Sequence, residues 1–131
     1  MTTFQLPRTG LPDLTFDGKL LSEQIGTDPD EITQGRVHNL RVYEADDGEY
    51  IVSVEYQSPF DSESSDHLVE AVKDLDGIDD VLSLYEAPER LDPALFGDRD
   101  TARMQTVSNA LVARFDRQVI AVLKSLDTAS V

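Results

Sequence analysis

Arg36-Val-His-Asn-Leu-Arg-Val-Tyr-Glu-Ala45, Asp46-Asp47-Gly48, Glu49-Tyr-Ile-Val-Ser-Val-Glu-Tyr-Gln57 is the stretch on which the fold turns. Two β-rich runs flank a short turn that ends in glycine, which is the pattern of an antiparallel hairpin. In the second run Tyr50, Val52, Val54 and Tyr56 alternate with Ile51, Ser53, Glu55 and Gln57. A side-chain period of two turns one set to one face and the other set to the opposite face. In the first run His38, Leu40 and Val42 share a face by the same rule. Residues 36–57 therefore form the centre of an antiparallel sheet of three to four strands.

Upstream, Leu14 to Ile25 reads as one strand. Asp17-Gly18 inside it allows a two-residue turn or a bulge, and the unbroken strand is preferred. Residues 1–12 carry two prolines and read as an extended or flexible N-terminal segment, while Gly26 to Gly35 reads as a loop. Downstream, Leu68, Val69, Val72 and Leu75 fit helical spacing, with Ser64 and Ser65 as caps and Gly77 as a stop. A short helix is expected near 65–76. Val81 to Tyr85 fits either a strand or a helical turn, and Asp92-Pro93 to Gly97 reads as one helical turn.

The last element is a long helix near 101–126, a span with neither Pro nor Gly. Met104, Val107, Leu111, Phe115, Val119, Val122 and Leu126 recur three or four apart and form one broad apolar arc. Val112 and Leu123 extend that arc, Ile120 lies outside it, and Arg103, Arg114, Arg117 and Lys124 cluster on the opposite side. Strands followed by helices, with the clearest strand pair joined by a hairpin, give an α+β class and a single domain over 1–131.

Charge is concentrated in the middle of the chain. The 131 residues hold 26 acids and 11 bases, a net of −15. Residues 44–100 alone hold eighteen acids and three bases, while the remainder is neutral. Such a field repels phosphate backbones and anionic lipid, so neither direct nucleic-acid binding nor membrane binding is expected. The longest apolar run, Val119 to Leu123, falls far short of the ~20 residues of a membrane span, and cytoplasm is the default location. The acid-rich middle admits three readings: a solvated face tuned to solubility or salt, a dock for a basic protein, or mimicry of nucleic acid.

Chemistry finds few footholds. The chain contains no cysteine, which removes disulfides, thiolate nucleophiles and Cys-based metal sites. HExxH, Walker A, GxGxxG and GxSxG spacings are missing. Asp74-Leu-Asp76-Gly77-Ile-Asp79-Asp80 resembles a calcium loop, but Gly77 falls at position four and Tyr85 at position twelve, so the register fails. Tyr50 and Tyr56 on one sheet face, with Tyr43 opposite, suit core packing better than base stacking, because acids outnumber bases around them. No catalytic, metal or cofactor residue is assigned, and no cofactor is expected. His38, on an apolar sheet face, is the one weak pocket candidate.

Three functional expectations follow. The first is an acidic, non-enzymatic domain that works through protein contacts, as a homodimer built partly on Val112, Ile120, Leu123, Arg103, Arg114, Arg117 and Lys124. The second is a small enzyme or ligand-binding protein with a carboxylate/His pocket between sheet and helices. The third is an acidic decoy or regulator of a basic partner.

Overall fold

A computed structural model describes residues 2–26, 35–60, 63, 66–85, 91 and 101–129. The chain runs β1 (Thr2–Arg8), β2 (Leu11–Gln24), β3 (Val37–Ala45), β4 (Tyr50–Gln57), β5 (Asp66–Val72), α1 (Leu75–Leu84) and α2 (Thr101–Ala129). The five strands follow one another in spatial order, each antiparallel to the next. The α+β class expected from the sequence is what the chain adopts, with five strands rather than three or four.

The central hairpin is in register from Val37 opposite Gln57 to Glu44 opposite Tyr50. Its turn is closed by Gly48 N donating to Ala45 O, and Asp47 Oδ1 accepts from Glu49 N. Gly48 sits at φ 89°, the left-handed region that a glycine enters without steric cost. Leu40, Val42, Val52 and Val54 point to the face that α1 and α2 cover, and all four are fully buried.

β2 is a single strand, as preferred from its sequence. A Cβ on Gly18 would lie 2.2 Å from Glu44 O, so the glycine lets the β3 backbone come close and makes no turn. The irregularity falls later: Leu20 opposes Tyr43 while Ser22 opposes Val42. Tyr43 and Val42 point to opposite faces, so across the bulge the alternating β2 side chains exchange faces of the sheet. The N-terminal segment, read as extended or flexible, is β1 and the turn into β2.

The sheet is strongly curled. Laid flat, β1 and β5 would stand four strand spacings apart, about 19 Å. Instead Thr9 N donates to His67 O at 3.0 Å, and Thr9 Oγ1 accepts from His67 N at 2.8 Å. The concave face gathers Phe4, Leu6, Leu14, Phe16, Tyr43, Ala45, Ile51 and Val69, side chains from all five strands. Phe4, Phe16 and Tyr43 pack ring against ring, with centroids 4.7 to 5.5 Å apart.

Two expectations need correction. Residues 66–72, placed in a helix near 65–76, are β5, and the short helix lies at 75–84. Leu68 and Val72 face the helices while Val69 joins the concave cluster, so this strand buries apolar groups on both faces. A spacing of four satisfies a period of two as well as a helical turn, and that coincidence explains the misreading. Gly77 starts the helix rather than stopping it: its N–H donates to Oδ1 of Asp74, the N-cap, at 2.8 Å. Val81 to Leu84 are accordingly the last turn of α1. The expected turn at 92–97 and the caps Ser64 and Ser65 lie outside the described residues.

The apolar arc of α2 packs as its spacing predicts. Val107, Leu111, Phe115, Val122 and Leu126 are buried against the sheet, with Met104, Val119 and Leu123 packed at the margin. Among the described residues no helix is long and apolar enough to cross a membrane.

Candidate functional site

The ladder between β2 and β3 ends at the pair Gln24–Leu40, and α2 packs against both strands. There Gln118 bridges the two strands: its Nε2 donates to His38 O at 2.8 Å and to Gln24 O at 3.4 Å. Asn39 Oδ1 accepts from Gly26 N at 2.9 Å, and the Gly26 backbone lies close against Val37 and His38. A cavity of about 310 Å³ opens beside these bonds. Ile25 and Gly26 line it from the end of β2, and Arg36, Val37 and His38 from the start of β3. Leu111, Arg114, Arg117 and Gln118 line it from α2.

A buried polar network forms one wall. Arg36 is fully buried and grips Glu63 with two parallel bonds, Nε to Oε1 and Nη2 to Oε2, each 2.8 Å. Tyr56 donates its hydroxyl to Glu63 Oε1 at 2.6 Å, and the Arg36 guanidinium lies over the Phe60 ring at 4.5 Å. Burial alone would lower the Arg36 pKa, but the Glu63 carboxylate outweighs it and holds the guanidinium above its ordinary value. Burial pushes the Tyr56 phenol upward, and Glu63 adds to the effect because a phenolate would face a carboxylate. Arg36 thus enters the wall as half of a neutral pair.

His38 sits inside this architecture rather than in solvent, at 3% exposure. Its ring packs among Tyr56, Tyr85 and Phe115 with centroids 5.0 to 5.5 Å away, and Nε2 meets the Tyr85 hydroxyl at 3.1 Å. The ring surroundings and the phenol make His38 a part of the cavity's frame. His67 stands on β5 instead of a helix, 3.8 Å from Glu55 on the concave side. Among the described residues no group of three or more His, Asp or Glu could hold a metal ion.

The α2 residues singled out from the sequence separate into two sets. Arg114 and Arg117 reach the cavity, three positions apart and hence neighbours on the helix surface. Ile120 is 64% exposed and Val112 41%, whereas Leu123 is half-buried against the core. Arg103 and Lys124 are exposed. Tyr50, Tyr56 and Tyr43 all pack into the protein, the first two under the helices and the third inside the curl. Sequence reading missed Gln118, Glu63 and Tyr85. A lone glutamine on a helix and a lone glutamate in a loop carry no periodic signal, and Tyr85 lay in a segment whose type was open.

No family model, no curated protein and no solved structure matches this chain.

Proposed function

We propose that the protein is a non-enzymatic cytoplasmic domain that works through protein contacts, and that its first partner is a second copy of itself. The observation that carries this reading is the exposure of Ile120 and Val112 on the outer side of α2, a helix whose other large apolar side chains are covered. A single exposed aliphatic is ordinary, but two on one outward helix face beside exposed cations make a surface suited to a partner. Charge supports the choice of partner. Arg103, Arg117 and Lys124 are exposed on α2, while Asp76, Asp79 and Asp80 are exposed on α1. Two copies related by a two-fold axis set each cationic helix against the other's acidic surface, and such a contact is self-complementary. At 29 residues, α2 is about 43 Å long, ample for a dimer interface.

Sedimentation equilibrium tests the reading. A dimer is expected at moderate salt, weakening as ionic strength rises because exposed charges are screened. Ile120→Asp should weaken association at least about tenfold, since a buried isoleucine contributes about 1.5–3 kcal/mol. A chain that stays monomeric to about 1 mM, where ~4 kcal/mol of association already registers, overturns the proposal.

A further inference from the structure

We propose that residues 2–17 form a strap over the concave face, hinged where β2 leaves β1 and latched by Thr9, which opens as a unit while the rest of the fold stays closed. This inference goes beyond self-association and does not need it. The first support is the distribution of burial. None of residues 2–17 is buried, whereas β3 buries six of its nine residues and β4 five of its eight. Segments with few buried contacts open at a lower free energy than the core, and they open in contiguous units. The polar outer side of the strap bonds to itself: Thr3 donates to Asp17, Gln5 to Asp13, and Arg8 to the Pro12 carbonyl.

The second support is the hinge and the latch. β2 pairs with β1 as far as Gly18 and with β3 from Gly18 onward, so the two ladders share one residue. Asp46 N donates to Asp17 O beside it, and the bulge between Leu20 and Ser22 follows at once. A bulge bends its strand and interrupts the pairing. At the far end Thr9 fastens the strap: its N–H donates to His67 O, and its Oγ1 accepts from His67 N. Between hinge and latch the strap lays the half-covered Phe4, Leu6, Leu14 and Phe16 on the body. Lifting them uncovers Tyr43, Ile51 and Val69 and leaves the helix-covered rows of β3 and β4 in place. A lone two-stranded hairpin is marginal in water, so a lifted strap also loses its own ladder.

Native-state hydrogen exchange of the full chain, read residue by residue by NMR, tests the strap. After correction for intrinsic rates, its ladder amides should be protected, yet exchange at least about a hundredfold faster than those of β3 and β4. Their rates should also depend far less on denaturant, because opening the strap exposes far less surface than unfolding the chain. Thr9→Val removes the side-chain acceptor of the latch and should speed the strap about fivefold. Leu111→Ala weakens the helix-covered core, which is intact whether the strap is open or closed. It should speed β3 and β4 about thirtyfold and leave the strap as it was. The proposal is overturned by strap amides that share the rate and denaturant dependence of β3 and β4, or that have no protection at all. It is overturned equally if Leu111→Ala speeds strap and core alike, or if Thr9→Val leaves the strap unchanged.

Discussion

The two faces of the β3–β4 hairpin are buried by different means. On one, Leu40, Val42, Val52 and Val54 lie under α1 and α2 and lose essentially all contact with water. On the other, Tyr43, Ala45 and Ile51 are covered by the sheet itself, as β1 and β2 curl round to bring Phe4, Leu6, Leu14 and Phe16 over them. Those four covering side chains remain half-exposed. A helix brings a broad row of side chains down onto a sheet and can seal it. A curled hairpin brings one row per strand and leaves a rim. The helix-covered face therefore carries the dense packing and the buried ion pair, and it borders the cavity. The concave face holds together chiefly through aromatic contacts.

Substitutions on the two sides should show this inequality, and the largest effect is expected at the ion pair. Arg36→Met strands the Glu63 carboxylate in a buried site, which should cost about 3–5 kcal/mol by chemical denaturation. A loss under about 1 kcal/mol would mean that water reaches Glu63 and that the helix-covered face is not sealed. Next come paired truncations. Leu111→Ala, under the helices, should cost about 2–5 kcal/mol, and Phe16→Ala, within the curl, about 1–2 kcal/mol. Equal losses would erase the distinction between the two covers.

The smallest effect is one of pH, and it exploits a tyrosine on each side. Burial raises the phenol of Tyr43 in the curl and of Tyr56 beneath the helices. A phenol raised by folding keeps its proton longer in the native state than in the unfolded chain. Its contribution is present in full below the unfolded value near 10 and is lost as pH rises beyond it. Denaturation midpoints should therefore fall above about pH 10, and each Tyr→Phe change should flatten that decline. Tyr56→Phe should flatten it more, because Glu63 sits against that hydroxyl. If Tyr43→Phe has the greater effect, the order of burial proposed for the two faces is reversed.

How much of this is legible in the sequence depends on whether one period dominates a segment. The hairpin at 36–57 alternates cleanly around a glycine turn, and α2 repeats its apolar residues over about six turns, so both read directly. β5 does not, because Leu68, Val69 and Val72 are buried on both faces and their spacing suits either structure. β1 is hidden for another reason: Pro7 interrupts its pattern, and a proline is tolerated there because the strand has a neighbour on only one side. The cavity draws on three separate segments. His38, Arg114 and Arg117 were each visible as residues of interest. Their meeting point was not, since it depends on where α2 crosses the sheet and on Gln118, whose partners are two backbone carbonyls.

The bonds between Thr9 and His67 have a consequence for what the molecule avoids. Among the described residues β1 and β5 border the sheet, and an uncovered strand border is a template on which another chain can add a strand. By fastening the end of one border to the start of the other, the curl occupies donors and acceptors that would otherwise recruit neighbours into fibrils. Strand addition at that corner of the sheet is thereby discouraged.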